Sequence, residues 1–243
     1  MSKILIIHPQ DRTTDFLKRI KTAVINNIEG AQIFNVHPTA KSKVEAFQAI
    51  QSLSSDGLLL FLGHGRSDML YGSKGRYYDT LDTFSNDFRS EHPELFYYDR
   101  VFLDENNITI LKGKKVICLA CNSNDKIAKL ALENGVAAFI GYGDIPTSQH
   151  EFERSHQLVS SQVVAIVKGE LNNIVRSSLV YSFKNGMTFN GFKDILDYKC
   201  NQAIVRYVRD AKELRHRRLI ADFLYFLKRE CKVFGDGDLK LFL

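Results

Sequence analysis

The chain has 243 residues, 44% of them hydrophobic, with 33 basic and 28 acidic residues and a formal net charge of +5. That length suits one α/β domain, or a domain with a helical appendage, with ample chain for a core. So mild a charge does not itself call for nucleic acid or a membrane, and no apolar run approaches the ~20 residues of a membrane span.

The opening MSKILIIHPQ is too short an apolar run for a signal peptide and lacks a small-residue cleavage site. The cysteines Cys118, Cys121, Cys200 and Cys231 show no disulfide-framework spacing. The expectation is therefore a cytoplasmic protein in a reducing environment.

Lys3–His8 reads as a first strand ending at Pro9. Asp11–Ile28 carries Phe16, Leu17, Ile20, Val24 and Ile28 at helical spacing and stops at Gly30. Ala31–Val36 is a second strand, and Ser42–Leu53 a second helix with Val44, Phe47, Ile50 and Leu53 inward. Gly57–Gly65, GLLLFLGHG, is a buried strand bounded by glycines. Alternation at this pace predicts right-handed crossovers and a parallel sheet with helices on both faces.

After His64 the pattern breaks. Arg66–Arg100 is polar and aromatic, with a turn or hairpin tip expected at Tyr71–Gly75. A long irregular stretch after a strand end is more often functional than idle. Val101–Leu111 rejoins the core, and Lys115–Cys121, KVICLAC, is another buried strand. Ser123–Asn134 reads as a helix, Val136–Gly141 as a further strand, and Tyr142–Pro146 as a turn on the C-terminal edge. From Glu151 the chain is largely helical, with interruptions expected at Gly169, Gly186 and Gly191. The stretch 151–232 is the helix-rich part of a single domain 1–243, or an appended subdomain; nothing marks a boundary.

Two strands thus end in chemistry-bearing side chains, His64 and Cys121, at the sheet edge where open α/β sheets place their ligands. A thiolate attacks a carbonyl carbon; a neutral thiol does so poorly. Cys121 stands just before a predicted helix, whose N-terminus favours an anion. His64 is placed to take the thiol proton and later return it to a leaving amine. The backbone N–H groups of Gly65 and Cys121 are the candidate oxyanion donors. No third triad member is evident; a carbonyl or carboxylate near His8 or Asp56 is the candidate for orienting the imidazole. A strand-end histidine or an apolar-strand cysteine is commonly just structural, and Cys118 is read that way. The Cys118/Cys121 spacing matches C-x-x-C, but the first cysteine lies inside the strand, against redox or zinc use. The other histidines show no metal spacing, so no metal or cofactor is expected.

His64 and Cys121 lie 57 residues apart, near the ~50 of caspases. A hydrophobic block with His-Gly (Leu58–Gly65), then one with Ala-Cys-x-Ser (Val116–Ser123), resembles the caspase-like cysteine peptidases: caspases, gingipains, separases and CHAT-domain proteases. Glu133–Gly141 is similar to the strand after the catalytic cysteine in the CHAT and gingipain-like branches, and Phe152–Gly169 to the helix beyond it. Val233–Leu239 resembles their closing Gly-Asp-Pro-x-Leu strand, with Gly237 where proline would be usual. The caspase pentapeptide Gln-Ala-Cys-x-Gly is absent, so the CHAT branch is the better match.

The resemblance implies a doubly wound, mostly parallel α/β sheet flanked by helices, with a helix-rich C-terminal half. It implies a thiol protease in which His64 is the general acid/base and Cys121 the nucleophile. In several members an acidic residue in the specificity pocket selects Arg or Lys. Asp144 is the candidate here, with its neighbour Tyr142 and, more weakly, Asp68 and Asp79, as substrate-binding residues. Tyr77, Tyr78, Tyr97 and Tyr98 are candidate subsite residues or ordinary surface packing. The expected partners are a protein or peptide substrate and an activating partner protein. No membrane and no nucleic acid are expected: the basic run Arg206–Arg218 reads as a solvated face, with Ile204, Val208, Leu214, Leu219, Phe223 and Phe226 on a core side. By family analogy alone, the setting is a bacterial stress or antiviral defence pathway.

The competing reading is a catalytically silent module of the same fold that binds a partner; retention of both His64 and Cys121 argues against it. A nucleotide-binding doubly wound domain is disfavoured because no glycine-rich loop follows the first strand.

Overall fold

The computed structural model describes residues 3–154, 159–210 and 214–241. Strands β1 (Ile4–Pro9), β2 (Ala31–Val36), β3 (Leu58–Leu62), β6 (Lys115–Leu119), β7 (Ala138–Gly141) and β8 (Lys232–Gly235) form one sheet in the order β2-β1-β3-β6-β7-β8. The first five are parallel; β8 joins β7 antiparallel at the edge. A small hairpin, β4 (Gly65–Arg66) and β5 (Met69–Leu70), follows β3. The helices are α1 (Lys18–Asn27), α2 (Ala40–Ser52), α3 (Asn86–Glu91), α4 (Lys126–Glu133), α5 (Gln149–Arg154), α6 (Ser161–Lys184), α7 (Phe189–Val205) and α8 (Arg217–Glu230). The fold is therefore α/β with a mostly parallel six-stranded sheet flanked by helices.

Strand alternation divides the core in two. Ile4, Ile6, Leu58, Leu60, Leu62, Ile117 and Leu119 face a layer that holds Ile20 and Val24 of α1 and the buried sides of α6, α7 and α8. Leu5, Ile7, Leu59, Phe61, Val116 and Cys118 face a second layer with Ala46 and Ile50 of α2 and Ile127, Ala128 and Ala131 of α4. The helix-rich part thus shares the sheet's own core. Both faces of the central strands are covered, which is why β3 and β6 read as continuous apolar runs.

Several local expectations change. The predicted helix from Asp11 opens as a 3-10 turn, Arg12–Leu17, capped by the Asp11 side chain, before α1 begins. On α2 the buried stripe is Ser42, Ala46 and Ile50, while Val44 is 56% exposed, turned away by helical geometry. The hairpin tip lies at Ser67–Asp68, not Tyr71–Gly75, which runs extended against Tyr97–Asp99. Gly169 and Gly191 interrupt nothing: α6 and α7 run through them. The helices do break at Gly186, between α6 and α7, and again after α7, where Arg206–Asp210 is a π-helical turn. Val208 and Phe226, expected inward, are exposed. Within the basic run Arg206 pairs with Glu170 and Arg209 with Asp210, and Lys212 lies outside the described residues.

Candidate active site

The chain crosses from β1 to β2 on one side and returns to β3 on the other, so the order reverses at the β1/β3 boundary. Such switch points open a crevice beyond the strands' C-terminal ends. His64 lies two residues past Leu62 on β3, and Cys121 two residues past Leu119 on β6. Leu62 and Leu119 are partners in the parallel ladder. His64 and Cys121 therefore stand at one level on neighbouring strands, about 5 Å apart in strand spacing. Alternation also points both toward the face that holds α1 and α6. They line one small cleft of about 20 Å³ with Phe16, Ala120, Ile145 and Thr147.

The turn after β6 fixes the thiol. Asn122 has φ +54°, the left-handed region that asparagine tolerates. Its N–H donates to Gly143 O at 2.9 Å. The buried Ser123 hydroxyl lies 2.8 Å from the Cys118 and Ala120 carbonyls and accepts from Tyr142 N–H at 2.9 Å. A Cβ on Gly141 would meet Ser123 O at 2.4 Å, so the turn sits against bare backbone. On the other side, a Cβ on Gly65 would lie 3.1 Å from Ala120 Cβ. The two strand ends are in close contact because Gly65 has no side chain.

His64 is held by residues that sequence reasoning missed. Its Nε2 lies 2.5 Å from Thr13 Oγ1, and Thr13 Oγ1 donates to Asp11 Oδ1 at 2.6 Å. Asp11 also accepts from Thr13 N–H at 2.7 Å. Thr13 has one hydroxyl proton and spends it on Asp11, so Nε2–H donates to Thr13 and Nδ1 keeps its lone pair. Asp11 Oδ2 is 3.8 Å from Nε2. Burial alone would raise the Asp11 carboxyl, but hydrogen bonds from His64 and Thr13 outweigh it and hold the carboxyl well below the usual range. His8 and Asp56 do not orient His64: His8 Nδ1 donates to Leu62 O at 2.8 Å, stitching β1 to β3, and Asp56 precedes β3 at the opposite edge. The available signal was position, because Asp11 and Thr13 follow β1 directly at the switch point.

The expected helix-dipole activation of Cys121 is not present. Helix α4 starts only at Lys126, because Ser123 is spent in the turn. Burial instead pushes the Cys121 thiol up to about 12, helped by the Asp144 and Glu151 charges. Its Sγ–H donates to Ile145 O at 3.6 Å. Cys118 is fully buried, and all four cysteines are free thiols.

Asp144 is exposed and lines a separate cleft of about 430 Å³, beside Asn122, with Glu151, Phe152, Asp222 and Phe223. Tyr142, expected to bind substrate, is fully buried in the core with its hydroxyl beside Cys231. It cannot line a substrate cleft in this arrangement, since alternation from Ile140 points it inward. Asp68 is bound to Arg66 at 2.6 Å and faces a different cleft, with Asp104 and Lys126. Asp79 pairs with Lys74 at 2.6 Å. Tyr77 packs at a tilt against Phe84 and Phe96, and Tyr78 against Tyr98.

Among the described residues, no group of three or more His, Cys, Asp or Glu is arranged to hold a metal, and no helix is long and apolar enough to cross a membrane. The chain matches no protein-family model, no curated protein and no solved structure.

Proposed function

We propose that the chain is a cysteine endopeptidase of the caspase-like kind, cleaving a protein or peptide through His64 and Cys121. The observation that carries this reading is the matched register of His64 and Cys121 on adjacent central strands, in one cleft, with His64 oriented by Thr13 and Asp11. In the reaction, His64 Nδ1 takes the Cys121 proton and the thiolate attacks the scissile carbonyl. The Asp11 carboxylate stabilises the imidazolium through Thr13. Gly65 and Cys121 N–H groups serve the oxyanion, with a donor of this type supplying about 3 kcal/mol. The imidazolium then protonates the leaving amine, and water hydrolyses the thioester. Asp144 is the proposed selector of a basic side chain in the adjoining cleft.

The test is cleavage of a proteome-derived peptide library by the wild-type chain and Cys121→Ala, read by mass spectrometry. Cleavage lost in the variant supports the peptidase, and the aligned cuts define the preferred residue. Activity that survives Cys121→Ala sinks it.

The partly buried thiol, whose pKa is pushed up by desolvation, favours a second reading, a catalytically silent module that binds a partner. A wild-type chain that cuts nothing, even in a lysate holding its genomic neighbours, would decide for it.

A further inference from the structure

The cleft that holds His64 and Cys121 measures about 20 Å³, room for roughly one water. Cys121 is only partly exposed there, so the opening over the thiol is narrow. One wall of it is the strap 143–148, which leaves β7 and runs beside Cys121. Ile145 supplies the carbonyl that accepts from Sγ, at 3.6 Å, and Ile145 and Thr147 wall the cleft. The strap is tied down from the far side. Glu151 Oε2, on α5, accepts from Thr147 N–H at 2.6 Å, and Thr147 Oγ1 lies 3.4 Å from the same oxygen. Glu151 N–H in turn donates to Ser148 Oγ at 3.3 Å.

Resting on the peptidase reading, we propose that the Glu151–Thr147 tie is a latch that holds strap 143–148 against Cys121, and that releasing it frees the thiol for His64. With the tie made, Sγ keeps its proton and gives it to a backbone carbonyl. With the tie broken, Ile145 O withdraws, water and substrate enter, and the proton passes from Sγ to His64 Nδ1 without any other reactant. The Glu151 carboxylate also lines the 430 Å³ cleft beside Asn122. A group seated there meets the carboxylate that ties the strap. Burial and the Glu151 charge act together to hold the thiol protonated, in keeping with a closed resting state.

The experiment is alkylation of Cys121 by iodoacetamide in the full chain, with Cys121→Ser as background. It needs no substrate. The other three cysteines are buried to 1% exposure or less and contribute little. Wild type should react slowly at pH 7.5. Glu151→Gln keeps an acceptor but loses the charge; Glu151→Ala loses both. The latch predicts at least tenfold faster alkylation in Glu151→Ala, with Glu151→Gln between it and wild type. Equal acceleration in both variants would assign the effect to charge alone and overturn the latch, as would no acceleration. If Glu151→Ala does not fold, hydrogen exchange at the Thr147 amide in Glu151→Gln decides. Faster exchange alongside faster alkylation supports the latch, and unchanged exchange overturns it. Accelerated alkylation in a chain that cleaves no peptide would sink the peptidase and keep the latch; cleavage with unaltered alkylation would do the reverse.

Discussion

His64 and Cys121 share one level of the sheet: each lies two residues beyond a ladder pair, Leu62 and Leu119. Their juxtaposition follows from strand register, and register in a buried parallel sheet is strongly specified because a slip of one residue would turn every core side chain to the wrong face.

Asp11 and Thr13 hold His64 from the turn just after β1. On the peptidase reading, Asp11→Asn and Thr13→Val should each lower kcat/KM on the order of 10²-fold, with KM little changed, because they disturb the proposed base rather than substrate binding. Steady-state kinetics on a peptide found by the library screen checks this. A Thr13→Ser variant that retains the hydroxyl should recover most of the loss.

The same carboxylate predicts a pH dependence of stability. Asp11 is held below its unfolded value of about 3.9, so its stabilisation is fully present above that pH and fades as pH falls through the folded value. The Tm gap between wild type and Asp11→Asn should be open at pH 7 and shrink below about pH 4. A constant gap from pH 7 to pH 3 would contradict the assignment.

Gly141→Ala drives a methyl toward the Ser123 carbonyl, 2.4 Å from the new Cβ. Neither backbone has a flexible end to yield. The expected loss is about 1–3 kcal/mol, or several degrees of Tm in a chain of this size. Thermal unfolding reads it, and displacement of the turn should also impair Cys121.

Asn122 tests the turn from its other end. At φ +54°, Asn122→Gly should fold as well as wild type, whereas Asn122→Val should cost roughly 1–2 kcal/mol. Denaturant titration of the pair measures the strain directly.

Asp144 tests the proposed specificity. Asp144→Asn should reduce cleavage after basic residues at least tenfold while sparing other cuts. Uniform loss across the library would make Asp144 structural.

Much of this protein was legible in the residues alone. The strand sequence LLLFLGHG, its partner KVICLAC and the helices between them specified a covered parallel sheet, because only strands buried on both faces tolerate unbroken apolar runs. The same runs placed His64 and Cys121 at strand ends. What the chain could not declare by itself were relationships across distant segments. The contact of Thr13 with His64 spans 51 residues and depends on β1 lying beside β3. The failure of Ser123 to start a helix depends on carbonyls and an N–H that the fold brings to its hydroxyl. Tyr142 reads as an edge residue until alternation and the helix layer bury it. The raised pKa of Cys121 comes from desolvation, with the Asp144 and Glu151 charges adding to it, and the desolvation has no local sequence signature. Periodicity is a property of neighbouring residues and is written in the sequence; desolvation, register and long-range hydrogen bonds arise only when the sheet closes, and the tertiary structure alone sets them.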